Sequence, residues 1–428
     1  MICNFIHDRS ERLLNGVWTA ASLPRRHDTG VTGMTLEVML RTPALCHETV
    51  MSSAAVPAQT LRADRDSRNA AQVLGLCLPS DVLLYLLLPM YASDFGVTLV
   101  EAGVLLAANR LVRIIGYGWV VRFYARHGDR AACSLAAFAA AVCALGNATL
   151  GGFAALLVLR LVWGLCFATF NLSTQTLATA ETQGAARRAG RSRATLAIGP
   201  MLALPLGALM AQAYGPRAVF YVLCISALCG LWRARALPCG GHDIAARSGR
   251  RLRLPDSIAT WSFIEGVTLD GLFIFGLSLY AQVHMGESGV LVAGVLMAVR
   301  YLSEMLFSPF GGRLADRFGA LRMLVVLSLA TSLALLVFAS HWLFIGAFFV
   351  LVLRALQLPL VMTLVALRNP HARIQALASN AVWRDIGAGL GPMLAGVLLP
   401  QVPAIWAYAG AALAVAVAAL NCARPPRH

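Results

Sequence analysis

Apolar stretches of about twenty residues recur from Ala71 almost to the end of the chain, and this recurrence limits the possible folds more than any other feature. An α-helix rises about 1.5 Å per residue, so each stretch is long enough to cross the roughly 30 Å hydrocarbon core of a bilayer. The chain is also 58% hydrophobic and only 13% charged, which is far more apolar than a soluble domain. These features predict an all-α integral membrane protein.

Twelve such stretches can be counted, and we predict that each is a transmembrane helix. Their approximate spans are residues 72–92, 99–120, 131–150, 153–178, 194–213, 217–236, 257–282, 289–311, 321–339, 342–366, 376–399 and 404–422. Residues 1–70 are polar without a sustained period, and we expect a disordered cytoplasmic extension there. The predicted order is then an N-terminal bundle at 71–236, a cytoplasmic linker at 237–256, a C-terminal bundle at 257–422 and a cytoplasmic tail at 423–428.

Arginines are concentrated in alternate loops. The loop after the fourth span, for example, contains Arg187, Arg188, Arg191 and Arg193, whereas the loops on the other side contain Arg217 alone. By the positive-inside rule, both termini are predicted to be cytoplasmic, and the expected location is the bacterial inner membrane. The net charge of +15 is therefore explained by topology, and no nucleic-acid partner is expected.

The two halves of the chain resemble each other. The segment "AGVLLAANRLVR" from Ala102 matches "AGVLMAVRYLSE" from Ala293, an offset of 191 residues. The same offset places Gly128 on Gly319. This repeat predicts two pseudo-symmetric six-helix bundles, which is how many secondary transporters are built around a site at the midplane.

One polar run, "GGRLADRFGALR" from Gly311, interrupts the apolar pattern between the eighth and ninth spans. It resembles the cytoplasmic loop motif of the major facilitator superfamily, a resemblance that extends over residues 71–422. The matching positions are Gly312, Arg313, Asp316, Arg317 and Gly319. The resemblance implies a gating role on the inner face. The N-terminal copy is degraded, because Val121 replaces the motif glycine and Ala125 replaces the aspartate.

Three further segments are similar to family motifs. Arg160 in "LRLVWGLCFA" and Arg354 in "LRALQ" lie at loosely corresponding places in the fourth and tenth spans. The runs "IGPMLALPLG" and "WRDIGAGLGPMLAG" are similar to the antiporter motif of the fifth helix and its eleventh-helix partner, which favours export. Close packing through small residues is the alternative explanation for both runs.

Eleven ionisable residues are predicted at mid-span depth, where an unpaired charge costs about 2.5–3.5 kcal/mol. The acids are Asp81, Glu265, Asp270, Glu304 and Asp385, and the bases are Arg110, Arg113, Arg160, Arg300, Arg354 and Arg384. They are the candidate proton and substrate sites.

Specific roles can be assigned to these residues as expectations. A carboxyl group in a poorly hydrated cavity can exchange protons near neutral pH, so Asp81 and Asp270 are candidate proton carriers, followed by Glu265. For Asp81 the alternative is a permanent structural pair with Arg113 or Arg160, and we expect the cavity role. Arg160 and Arg354 are expected to organise the cavity, and a purely structural ion pair is the alternative for each.

The other charged residues are expected to pair or to reach the interface. Arg300 and Glu304 are four residues apart and are predicted to pair with each other. Asp385 is the expected partner of Arg113 across the bundle, and Arg384 is expected to extend towards the headgroups.

The favoured function is a monomeric secondary transporter that moves a small organic molecule by alternating access, with proton-coupled efflux. The alternatives are a proton-coupled importer of a small anionic solute and a non-transporting receptor or scaffold of the same fold. No enzyme is expected, because no HExxH, GxSxG or phosphate-loop motif is present. No cofactor or metal is expected either, since the ten cysteines are scattered.

Overall fold

The computed structural model describes residues 42–242, 255–274, 276–277, 289–340 and 342–424, with 42–58, 289–293, 296 and 400 described by their backbone alone. The chain divides into two compact units, Met1–Ala58 and Gln59–His428. In the first unit the described part, from Thr42, is helical. All packing described below belongs to the second unit.

The described residues form α-helices joined by short turns. In chain order they are α1 Thr42–Cys77, α2 Pro79–Met90, α3 Leu99–Thr149, α4 Phe153–Ala178, α5 Ala185–Tyr214, α6 Ala218–Ala234, α7 Ser257–Glu265, α8 Gly289–Phe318, α9 Ala320–Phe338, α10 Leu343–Arg368, α11 Arg373–Gln401 and α12 Ala404–Ala423. A π-helical segment, Gly266–Phe273, continues α7, and a single 3-10 turn, Pro370–Ala372, precedes α11.

These helices account for the twelve predicted spans. The end of α1 together with α2 corresponds to the first span, α3 contains the second and third, and α4 to α12 correspond to the fourth to twelfth. By length and composition, seven helical stretches of the described residues are apolar enough to cross a membrane, and α6 is a shorter apolar helix. The charged helices α8 and α11 fall outside that set. The prediction of an all-α membrane fold is confirmed.

Two glycines with a left-handed backbone join helices at equivalent places in the two halves. Gly128 (φ 76°) bends the 51-residue α3 between the second and third spans. Gly319 (φ 88°) separates α8 from α9. Left-handed φ values are readily adopted only by glycine, so both positions require it. Gly128 and Gly319 are also the residues that the 191-residue offset pairs, and the repeat read from the sequence therefore has a structural counterpart.

The first span begins earlier than predicted. Helix α1 already includes Thr42, and side chains before residue 71 are packed: Asn69 donates to the carbonyl of Ala236 at 3.2 Å, and Arg233 donates to Asn69 at 2.9 Å. The boundary at residue 71 is therefore wrong, and the expected disorder does not apply to the helical residues before it. Residues 1–41 lie outside the described residues, as do 243–254 of the predicted linker.

Helices α5 and α8 form the most extensive helix–helix contact in the described chain, and they come from different halves. Glycines permit this close approach. A side chain at Gly190 would meet the backbone of Ser308 and Pro309, and one at Gly312 would meet the backbone of Ala186. The contact between α3 and α11, the equivalent pair in the repeat, is less extensive. The two halves are therefore packed more tightly along one side.

Candidate functional site

A cavity of about 180 Å³ lies between the two halves, at the depth of the predicted mid-span charges. It is lined from α3, α4 and α5 in the first half and from α7, the π-helical segment, α8, α10 and α11 in the second. The lining residues are Arg110, Arg113, Phe167, Asn171, Gln175, Arg193, Trp261, Ser262, Glu265, Asp270, Arg300, Leu358, Val361, Met362, Asn380, Ala381, Arg384, Asp385 and Ala388.

Arg354 organises the carboxylates of the second half. Its side chain is only 2% exposed, and it lies 2.7 Å from Asp270, 2.8 Å from Glu304 and 3.3 Å from Glu265. Three acids around one base offset the cost of burying that base. Arg354 does not itself line the cavity, so its role in organising the cavity stays a prediction.

Arg384 and Arg300 complete this network. Arg384 lies 3.0 Å from Glu265 and 2.8 Å from Asp270, so the expectation that it extends towards the headgroups is wrong. Arg300 lies 2.8 Å from Asp270 but 3.8 Å from Glu304. The predicted pairing of Arg300 with Glu304 is therefore secondary. Asp270 belongs to the π-helical segment and contacts its three arginines from there. Glycines in this segment let the segment pack directly against the backbone of α11.

Arg113 and Asp385 join the two halves at the cavity. The guanidinium Nε and Nη2 atoms of Arg113 each donate to one carboxylate oxygen of Asp385 at 2.8 Å, and the ring of Phe167 lies 4.6 Å from the guanidinium. Arg110, one turn earlier on α3, donates to the carbonyl of Ala388. Both contacts connect α3 with α11. The predicted partnership of Arg113 with Asp385 is present.

Asp81 is not at the central cavity. It accepts hydrogen bonds from Arg160 and, at 3.1 Å, from Asn109, and it borders a separate small pocket with Asn147 and Trp163. Arg160 likewise lies away from the cavity it was expected to organise. The structural alternative for Asp81 is therefore the one the geometry supports. The pair corresponds to Asp270 and Arg354 in the second half, so the same acid–base pairing occurs twice.

Arg193 lines the cavity, although the sequence predicts a loop at this position. Helix α5 begins at Ala185, so Arg193 already lies more than two turns inside it and lines the cavity. Its Nε atom is buried without a hydrogen-bond partner among the described residues. Extending the helical periodicity of α5 back to residue 185 would have predicted that Arg193 lies inside the helix.

The segment that resembles the family's cytoplasmic loop motif is helical in this structure and does not form a loop. Gly312, Arg313, Asp316 and Arg317 occupy the last turns of α8, and Gly319 alone makes the turn. Gly312 lies against α5, as described above. Asp316 is exposed, and the guanidinium groups of Arg313 and Arg317 lie over the adjacent rings of α8 at 5.3 and 5.2 Å.

The degraded copy of the motif binds the start of the linker. Asp129 is buried and accepts hydrogen bonds from Tyr124 at 2.6 Å, Ser173 at 2.5 Å and His242 at 2.9 Å. The backbone N–H of His242 donates to the carbonyl of Ala125 at 2.8 Å. The carboxylate of Asp129 thus holds the start of the linker on the first half.

The fold and the cavity define a multi-pass membrane protein built as two helical bundles around a polar site. The sequence model of the Major Facilitator Superfamily matches residues 74–299 and 266–428. The chain belongs to this superfamily, and its fold is that of a small-molecule transporter. No curated protein matches the sequence.

Solved structures of other proteins share this fold, and two transporters are among them. The proton:xylose symporter XylE is 14% identical, with a TM-score of 0.68, and the match covers 84% of this chain and 95% of that one. The human organic anion transporter MFSD10 is 15% identical, with a TM-score of 0.64, and the match covers 83% of this chain and 99% of that one. At these identities the similarity concerns the fold.

Proposed function

We propose that the protein is a proton-coupled secondary transporter of a small organic molecule, and that the Arg113–Asp385 pair couples proton binding to the movement of the two halves. One observation carries this proposal. Among the ion pairs of the described residues, Arg113–Asp385 alone joins the first half to the second.

Alternating access requires contacts between the halves to break and re-form around the cavity. Protonation of Asp385 removes its charge and with it the attraction to Arg113, so one contact that holds α3 against α11 is lost. The glycine-lined contact between α5 and α8 contains no such charge pair among the described residues. Opening on the α3–α11 side is therefore the movement that a proton can control.

Asp81 and Asp270, the proton carriers expected from the sequence, are less suited to this role. Asp81 is paired with Arg160 of its own half, and Asp270 is paired with three arginines of the second half. Protonating either one leaves the contacts between the halves in place. Asp385 is also the most accessible cavity carboxylate, with 18% of its side chain exposed.

Two directions of transport remain candidates. The proline- and glycine-containing runs of α5 and α11 favour export by exchange with protons. A symport of an anionic solute is the second candidate, and it is favoured by the arginines that line the cavity. A screen of candidate solutes in inverted and right-side-out vesicles, with and without a proton gradient, identifies the direction and the solute together.

The coupling role is tested with Asp385→Asn. We expect this variant to be less stable than the unmodified chain, because Arg113 loses its carboxylate. It should still fold and exchange solute down its gradient, because Asn occupies the same volume as Asp. It should no longer concentrate solute when a proton gradient is applied. Asp94→Asn, at an exposed aspartate, is the matched control and should transport normally. Gradient-driven accumulation by Asp385→Asn would overturn the assignment.

We further propose that the arginine-rich ends of the helices face the cytoplasm of a bacterial plasma membrane. The distribution of arginines between the loops supports this orientation. Cys239 is exposed at the start of the linker, at that end. In a variant with Cys239 as its sole cysteine, a membrane-impermeant maleimide should label inverted vesicles and spare right-side-out vesicles. The reverse pattern would place that end outside.

A further inference from the structure

The cavity has an excess of positive charge. Five arginines line it against three carboxylates, and Arg354 and Glu304, which lie behind the lining, add one charge of each sign. Two positive charges therefore have no counter-charge among the described residues of the cavity. Unpaired charges are costly at this depth in a membrane protein, and such a surplus is typical of a binding site.

The surplus can be assigned to Arg110 and Arg193. Arg300, Arg354 and Arg384 are all bound to carboxylates of the second half, and Arg113 is bound to Asp385. The polar contact of Arg110 is the neutral carbonyl of Ala388.

Arg193 has no ion pair among the described residues, and its Nε atom is buried without a hydrogen-bond partner. Both arginines belong to the first half, whereas the carboxylate-rich network belongs to the second. The uncompensated charge is therefore concentrated on one wall of the cavity.

We infer that the cavity binds a small anion carrying carboxylate, phosphate or sulfonate groups, and that Arg110 and Arg193 are the residues that recognise it. This inference rests on the proposed transport function for the identity of the anion as the transported solute, but it does not depend on the direction of transport. Arginine suits the role because its planar guanidinium can donate two parallel hydrogen bonds to such a group.

Neutral groups beside these arginines can bind the rest of the molecule. Asn171 and Gln175 lie on the adjacent wall formed by α4, where Gln175 donates to Asn171 at 3.0 Å and Asn171 donates to Tyr117 at 3.2 Å. A bound solute can replace these hydrogen bonds with its own. Because the side chains are neutral, breaking the hydrogen bonds leaves no buried charge unpaired. The small volume of the cavity limits the solute to a small molecule.

The test compares three solutes of similar length and different charge: succinate, succinamide and 1,4-diaminobutane. Thermal unfolding of the full chain in detergent is measured at constant ionic strength with each. We expect saturating succinate to raise the unfolding midpoint by about 3 °C or more, and the neutral and cationic solutes to have smaller effects. Inorganic phosphate is included as a smaller anion and should act in the same direction.

Variants locate the effect. Arg193→Gln and Arg110→Gln should abolish the stabilisation by succinate, while Arg322→Gln, at an exposed arginine, should retain it. Without solute, Arg193→Gln should unfold at the same temperature as the unmodified chain or higher, because an unpaired buried charge is removed. Arg113→Gln should unfold at a lower temperature, because Asp385 loses its partner.

Equal effects of the three solutes, no effect of either anion, or an anion effect that survives Arg193→Gln would each overturn the inference. The outcomes for the two proposals are separable. Anion binding in detergent without transport in vesicles would contradict the proposed function alone. Proton-coupled transport of a solute without preference for anions would contradict the anion site alone.

Discussion

At the scale of single residues, the buried charges form specific pairs. Arg160 and Arg354 are the largest fully buried side chains of the described chain, and each binds the aspartate of the first or seventh span. A buried pair adds little net stability compared with an apolar packing, but removing one partner leaves an uncompensated charge and is strongly destabilising. The loss of stability on substituting such a residue therefore measures how much its partner depends on the pair.

Asp81→Asn should destabilise the protein, because it leaves Arg160 with no carboxylate. We expect a loss of about 3 kcal/mol in the free energy of unfolding, measured as a lower unfolding temperature in detergent. Asp94→Asn is the control and should change stability by less than about 0.5 kcal/mol. A variant of normal stability that had lost only gradient-driven transport would support the original expectation of a cavity acid.

The sequence indicated which residues carry charge inside the membrane but not how they pair. Depth follows from position along a hydrophobic stretch, and this was sufficient for Asp270, Asp385 and Arg113. Partner choice depends on how each helix is rotated and on which helix lies opposite. Arg300 therefore prefers Asp270 on another helix to Glu304 on its own. Arg193 was missed because the arginine-rich start of α5 resembles a loop in composition.

At the scale of helices, glycines determine where the two halves can approach. Gly312 on α8 faces the backbone of Ala186 on α5, whereas its equivalent by the 191-residue offset is Val121 on α3. A valine keeps neighbouring backbones further apart than a glycine does. The closer α5–α8 contact and the looser α3–α11 contact agree with this difference. The sequence identified both positions, but their packing partners could be read only from the structure.

Gly312→Val should slow transport while leaving solute binding near normal. Its side chain would collide with the backbone of α5, away from the cavity, so the switching between conformations should suffer most. We expect turnover to fall by about tenfold, which corresponds to about 1.4 kcal/mol in the barrier. Turnover is measured in vesicles, and binding is measured in detergent.

Gly410→Val is the matched control, since a side chain at this exposed position in α12 meets no atom within 4 Å. It should leave turnover unchanged. Equal loss of binding and turnover in Gly312→Val would indicate a general folding defect and would contradict a role in switching.

Asp316→Asn, at the exposed acid of the same motif, should also slow turnover without weakening binding.

At the scale of the whole molecule, the twelve spans could be predicted because hydropathy is a local signal, and the internal repeat because matching segments recur at one offset. The residue at which the first bundle starts could not be predicted. Residues 59–70 are rich in charged side chains, including Asp64, yet they are helical and packed. Asp64 lies 3.7 Å from Arg188 and 3.6 Å from Arg191 at the start of α5. In the sequence alone, a charged segment whose residues pair with other helices cannot be distinguished from a polar tail.

Truncation tests this boundary. A chain starting at Met51 should insert and transport normally, because the contacts of Asp64 and Asn69 are retained. A chain starting at residue 71, with an initiating methionine added, should accumulate to a lower level and unfold at a lower temperature, because those contacts are lost. Membrane yield and thermal unfolding are the measurements. Equal behaviour of the two chains would show that residues 59–70 contribute nothing to stability.

The Arg113–Asp385 pair has a thermodynamic consequence for any solute bound beside it. In the proposed coupling, a proton on Asp385 frees Arg113 and increases the positive charge around an anion, so that proton and anion strengthen each other's binding, reciprocally and by the same factor. A cation would instead compete with the proton for Asp385. Cooperative binding places both ligands in the same conformer and leads to symport, whereas competition leads to exchange. The sign of the solute's charge therefore determines whether it travels with the proton or against it.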